Sequence, residues 1–336
     1  MSKHWKRLLL FGGLTAFFGF YFARKLGEVD LATVWATIAS SRIEGLALFF
    51  VAFLCTSLVH ARRMGLLLES FKSIPFLFFF HVDNISSLIS YALPGAGEVF
   101  RFLYLKNTHG IPFLVNFSVL ALERLLFVAV AALSLVWLPI SGLGGNHDRV
   151  VMAASIVAGA LGLTVVVVNA RRDVLRRLLT WLLTRIRLLR VLGAERMNDL
   201  VGMVEHCLLP SVLSRSLLLT VVQCIFLGLR HYAIYLAFGY DINMASCIAA
   251  YVAVFLIMVV PSTPGRIGVF EAACLSLFNG VLGVPVNVVL AAILLDRVLN
   301  IVALAGQTAY SLWRLDLSLL EIVRMRREPD PLRQAE

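Results

Sequence analysis

Apolar residues run along this chain in blocks too long for a soluble core, separated by short basic or glycine- and proline-rich breaks. About 18 or more consecutive apolar residues suffice to cross the hydrocarbon of a bilayer as a helix. Six blocks read as helical spans: Leu8–Ala23, Ile43–His60, Ile111–Pro139, Val150–Asn169, Leu217–Phe238 and Val286–Trp313. The first is short and follows Lys3, Lys6 and Arg7. No small-x-small site follows it, only Arg24 and Lys25, so it reads as an uncleaved anchor whose flanking arginines snorkel to the headgroups.

Two further apolar stretches break in the middle. Ile74–Lys106 is interrupted by Leu93-Pro94-Gly95-Ala96-Gly97-Glu98. Met244–Leu282 is interrupted by Pro261-Ser262-Thr263-Pro264-Gly265-Arg266-Ile267-Gly268. Proline removes a backbone donor and glycine loosens the helix, so each stretch should fold back on itself. Irregular backbone at membrane depth persists only where protein or water satisfies it. The pattern predicts two re-entrant hairpins, with breaks at Pro94, Gly95 and Gly97 and at Pro261, Pro264, Gly265 and Gly268. The alternative is a pair of ordinary spans with an aqueous turn.

The connection Arg171–Arg190 has a different period. Leu175, Leu178, Leu182, Ile186 and Leu189 share one helical face, and Arg172, Arg176, Arg187 and Arg190 the opposite one. Such a helix lies on a membrane surface. The expected organisation is a single polytopic domain over residues 1–336, with halves of about 8–140 and 150–313 joined by an amphipathic cytoplasmic connection, 171–211.

Composition agrees: the chain is 60% hydrophobic and 15% charged, against about a quarter charged in soluble domains. Charge placement orients the spans. With a cytoplasmic N-terminus, 22 of the 30 lysines and arginines fall on the cytoplasmic side, Arg62, Arg63, Arg101 and Lys106 among them; four fall outside. Arg124, Arg230, Arg266 and Arg297 are embedded. The implied location is a bacterial-type cytoplasmic (inner) membrane, with both termini cytoplasmic. The net charge of +10 then reflects a basic face against anionic lipid, not a nucleic-acid footprint. Trp5, Trp137 and Trp313 sit at span ends, and Trp35 and Trp181 in connections, where tryptophan favours the headgroup belt.

The halves resemble one another. Pro94-Gly95-Ala96-Gly97-Glu98-Val99-Phe100-Arg101 aligns without gaps to Pro264-Gly265-Arg266-Ile267-Gly268-Val269-Phe270-Glu271. Leu122-Glu123-Arg124 aligns to Leu295-Asp296-Arg297. Three crossings per half make the halves antiparallel, an inverted repeat of the kind found in many transporters. The fold class expected is an all-α membrane protein of about six transmembrane helices plus two re-entrant hairpins in an inverted repeat.

These same motifs, the Leu93–Glu98 break with Arg101, the Glu123-Arg124 pair and the Pro261–Glu271 stretch, resemble the lysylphosphatidylglycerol synthase transmembrane-region family, also called the flippase-like membrane-domain family. The resemblance covers most of the chain. It implies a membrane part that flips aminoacylated lipid; some members add a cytosolic aminoacyl-transferase domain, which is not expected here.

Charged residues inside a membrane are costly and mark function by default. Glu98, Arg101, Glu123, Arg124, Arg266, Glu271, Asp296 and Arg297 are therefore candidates for a substrate path. Pairing that merely locks the halves together is the competing role. Arg101 and Glu271 are expected to interact at the hairpin junction, directly or through the substrate headgroup. Arg230-His231 reads as an isolated polar spot at a helix interface. Cys55, Cys207, Cys224, Cys247 and Cys274 are scattered, as are the seven histidines, so no metal site, cofactor or disulfide is expected. No G-x-S-x-G, H-E-x-x-H or paired-aspartate motif argues for an enzyme. The function expected is a lipid flippase or transporter moving a glycolipid or modified phospholipid between leaflets. The alternatives are an intramembrane lipid-modifying enzyme and a non-catalytic partner of a separate lipid- or glycan-synthesising enzyme.

Overall fold

A computed structural model describes residues 30–69, 71–93, 95–140, 206–207, 209–257 and 268–317. Every regular element among them is helical: α1 (Leu31–Ala39), α2 (Ile43–Leu68), α3 (Phe76–Ala92), α4 (Ala96–His109), α5 (Phe113–Ile140), α6 (Pro210–Ala237), α7 (Met244–Ile257), α8 (Val269–Cys274, continued by a π-helical turn Leu275–Asn279) and α9 (Val286–Leu315). The expected spans Leu8–Ala23 and Val150–Asn169 and the amphipathic Arg171–Arg190 lie outside the described residues, as do Pro94, Pro261, Pro264, Gly265 and Arg266.

Four of these helices are long and apolar enough to cross a membrane: α2, α5, α6 and α9. Large apolar side chains such as Val51, Leu125, Leu218, Val298 and Val302 remain exposed on them, as lipid contact requires. The chain is a multi-pass membrane protein.

The centre of the fold is the pair α2 and α6, which run antiparallel along one another. At one end a Cβ on Gly45 would lie 2.5 Å from the Ala237 nitrogen, and the Arg42 amide donates to the Ala237 carbonyl at 2.8 Å. At the other end the Cys207 thiol donates to the Leu67 carbonyl. α3 packs on α9 and α7 packs on α5, each across the two halves. Helix α2 holds α3 as α6 holds α7. The neighbours of α2, α3, α4 and α5 thus recur as those of α6, α7, α8 and α9.

The two broken stretches differ in what is described. In the first, α3 and α4 fold against each other across Leu93–Gly95. Gly97 makes that possible: a Cβ there would meet the Ser86 carbonyl oxygen at 1.8 Å. Gly95 starts α4 with φ 80°, a left-handed conformation natural to glycine. Gly268 starts α8 in the same way, with φ 89°.

The structure corrects three expectations. Helix α2 does not end at His60 but continues to Leu68, taking Arg62 and Arg63 into the helix; Arg63 is fully buried, not at the cytoplasmic surface. An arginine whose charge is matched inside the protein need not terminate a span. Helix α6 likewise begins at Pro210, earlier than Leu217. The repeat register also shifts. Structurally, Gly95 matches Gly268, Glu98 matches Glu271, and the positive-φ Gly110 matches Gly283. Ile111-Pro112 then matches Val284-Pro285, and Glu123-Arg124 matches Asp296-Arg297, all at one interval along the chain. The gapless alignment through Pro94 and Pro264 was displaced by three residues, because it scored common apolar letters instead of helix starts.

Candidate functional site

Each of the two acid–arginine tandems makes one contact inward and one at the helix after the break, and the inward partners differ. On α5 and α9, Glu123 and Asp296 point inward, and the adjacent Arg124 and Arg297 point to the helix after the break. Neighbours on a helix differ by about 100°, so the tandem serves two directions at once.

The inward acid of the first half meets Arg63, whose Nη2 donates to Glu123 Oε1 at 2.8 Å. Arg63 also donates to the Thr220 hydroxyl on α6 at 2.7 Å. His60, one turn earlier on α2, places Nδ1 3.3 Å from Glu123 Oε1 and Nε2 3.2 Å from Asp83 Oδ2. Asp83 on α3 accepts from Arg101 on α4 at 3.2 Å. His60, Arg63, Asp83, Arg101 and Glu123 thus form one chain of ionisable groups across α2–α5.

In the second half Asp296 accepts from the Tyr251 hydroxyl at 3.2 Å and from the Asn300 amide at 2.8 Å. Arg230 Nη2 donates to that same hydroxyl at 3.3 Å. His231 stacks on Tyr251 at 4.1 Å between centroids, and its Nδ1 lies 3.8 Å from Asp296. Arg230 also lies over the Phe49 and Phe53 rings. Arg63 and Arg230 occupy equivalent places, each the same distance into its long helix. Thr220, the α6 partner of Arg63, lies ten residues before Arg230, roughly 15 Å along the axis at the α-helical rise.

The second contact of each tandem lies at the break. Arg124 reaches Glu98 at 3.7 Å and is 56% exposed, while the Ser90 hydroxyl donates to Glu98 at 2.8 Å. Arg297 Nε donates to Glu271 Oε1 at 2.8 Å and its Nη2 approaches the same oxygen. Glu271 also accepts from the Gly268 amide at 2.6 Å, closing the first turn of α8. Arg297 is also within electrostatic reach of Tyr91 at the end of α3.

Seven of the eight expected path residues are described, and each has a partner. The expected Arg101–Glu271 contact is not among them: Arg101 pairs with Asp83, and Glu271 with Arg297. The three-residue register displacement accounts for the error, since Glu98 is the true counterpart of Glu271. Sequence reading missed His60, Arg63, Asp83 and Tyr251. It also took Arg230-His231 as isolated, whereas Tyr251 links them to Asp296. Asp83 was findable as a lone acid inside an apolar stretch.

A family model for the lysylphosphatidylglycerol synthase TM region matches residues 7–306. The chain belongs to that family. The match includes the described helices up to Gly306, and with them both tandems. The family is defined on a transmembrane region, in keeping with the four long apolar helices. No curated protein matches the chain.

Proposed function

We propose that this member of the lysylphosphatidylglycerol synthase TM-region family moves a modified phospholipid or glycolipid between leaflets, as a flippase without chemistry of its own. The observation that carries this reading is the duplicated set of ionisable groups held inside membrane-crossing helices. Charges are retained at such depth only where they pair or serve a path. Symmetric clusters on both sides of the α2–α6 crossing supply polar stations for a headgroup while acyl tails stay in lipid.

The architecture we propose is six spans and two re-entrant hairpins in an inverted repeat. Support comes from the antiparallel α2 and α6, the recurring neighbours and the single interval relating the motifs. Helices α3 and α4 are 17 and 14 residues long, or roughly 25 and 21 Å. Both are shorter than the ~30 Å hydrocarbon, as re-entrant elements are. We place the protein in the cytoplasmic membrane with both termini cytoplasmic. Its partners are membrane lipids and a separate enzyme that makes the lipid.

Purified protein in liposomes tests the function. Labelled lipid placed in the inner leaflet should become accessible from outside faster than in empty liposomes. Product formation would favour an enzyme. Rates equal to empty liposomes across anionic, aminoacylated and glycosylated lipids would count against transport.

A further inference from the structure

We propose that the α2–α5 cluster binds one phosphodiester monoanion on the free edge of Arg101, together with one proton on His60. The proposal rests on the flippase reading and adds to it a substrate charge and a coupled ion.

The first observation is an unfilled donor edge. Arg101 is only 4% exposed, and one guanidinium nitrogen, Nη1, is bonded to Asp83. Its Nε and Nη2 have no hydrogen-bond partner and are buried. These two nitrogens form the side of the fork that takes a carboxylate or phosphate bidentately. Leaving a charged donor buried and unsatisfied costs more than leaving a neutral one, so a matching anion is favoured there. A second orphan, Glu123 Oε2, is an acceptor that a headgroup hydroxyl or ammonium would satisfy.

The second observation is that His60 has partners in both protonation states. Nε2 faces Asp83 in either state. Nδ1 lies 3.3 Å from Arg63 Nη2, a donor, and 3.3 Å from Glu123 Oε1, an acceptor. Neutral, Nδ1 accepts from Arg63; protonated, it donates to Glu123. No side chain has to move for the change.

Charge then couples the two. The groups facing His60 are Arg63 on its own helix, Asp83 on α3 and Glu123 on α5, and Arg101 on α4 connects to it through Asp83. Arg124 acts on Glu123, and from α6 the Thr220 hydroxyl bonds Arg63. Two arginines balance two carboxylates while His60 is neutral. Protonation leaves one excess positive charge, which a single phosphodiester neutralises. A proton and a monoanion therefore enter the site as a neutral pair, which suits a low-dielectric surrounding.

The test is calorimetric titration of the detergent-solubilised full chain with short-chain phosphatidylglycerol, from about pH 5 to about pH 9 across the histidine range. Binding should take up one proton, and where that proton must be bound together with the lipid, affinity should fall about tenfold per pH unit as pH rises, as linkage requires. His60→Lys should bind across the range without that slope, and His60→Gln should bind weakly at every pH. Arg101→Lys, which keeps the charge but not the fork, should weaken binding at low pH by at least about tenfold. Glycerophosphoglycerol, the same diester without tails, should bind far more weakly. Affinity equal to the lipid's would overturn the assignment to a lipid over a soluble diester, and equal affinity for a phosphate-free diacyl glucoside would overturn the anion site. A pH-independent affinity in the natural chain, or a slope retained in His60→Gln, would overturn the proton coupling. Lipid scrambling measured in parallel separates the two claims: scrambling without the pH slope removes this inference alone, and the slope without scrambling removes the flippase reading alone.

Discussion

Replacing Glu123 by Gln removes the only carboxylate among the described residues in direct contact with Arg63, which is 0% exposed. What remains around that guanidinium is the Thr220 hydroxyl and the His60 ring. Removing one member of a buried ion pair costs about 3–5 kcal/mol, because the survivor stays uncompensated. Insertion of an arginine at the centre of an isolated membrane helix costs about 2.5–3.5 kcal/mol on the translocon scale. Both point to a loss of about 3 kcal/mol, read as a shift in unfolding from mixed micelles by increasing detergent denaturant. The double variant Arg63→Met, Glu123→Met removes both charges at similar volume and should recover most of that loss. A double-mutant cycle should therefore give a coupling above about 1 kcal/mol. The equivalent Asp296→Asn should cost less, about 1–3 kcal/mol, because Arg230 reaches Asp296 only through Tyr251 and keeps its place over Phe49 and Phe53. Loss of under about 1 kcal/mol in Glu123→Gln, with no recovery in the double variant, would refute the idea that this pair organises the interior.

Gly97→Ala should prevent α3 and α4 from closing, because its Cβ would sit 1.8 Å from a backbone oxygen; the variant should fail to give a monodisperse particle on size exclusion. Gly110→Ala meets open space and only the positive φ opposes it, so it should cost about 1–2 kcal/mol in the same unfolding assay. A charge swap, Arg101→Asp with Asp83→Arg, should restore part of the stability that either single change removes; no rescue would argue against the observed pairing. At the exposed start of α1, the Thr33 hydroxyl and Ala32 amide hold the Asp30 carboxyl below its usual value of 3.8. A depressed carboxylate stabilises fully above that value and loses its contribution as pH falls through the lower folded one, so α1 should fray only under acid, followed by amide exchange at Ala32 in the natural chain and in Asp30→Asn. Reporter fusions at Glu336 and within Ser141–Asp148 should report cytoplasmic and external faces respectively; the same face for both would sink the proposed orientation.

Much of the architecture was legible in the chain. Hydropathy alone located the four described spans, because a helix that must satisfy its backbone in lipid needs a long apolar run. The Leu93–Glu98 break was legible because glycine and proline act on the local backbone, whatever surrounds it. The tandem motifs Glu123-Arg124 and Asp296-Arg297 stood out because charge inside an apolar run has no local excuse. What the chain could not reveal was which charge meets which. Arg63 read as a cytoplasmic surface residue, since nothing within its own segment announces the Glu123 that neutralises it from another helix. Arg101 and Glu271 read as partners through an alignment of similar letters, and only the helix starts at Gly95 and Gly268 set the register that separates them. His60 and Asp83 are unremarkable alone and become a network when α2 and α3 pack. Backbone hydrogen bonding and lipid exposure are local constraints, written residue by residue. Ion pairing across helices is set by packing geometry, and that information exists only once the helices are together.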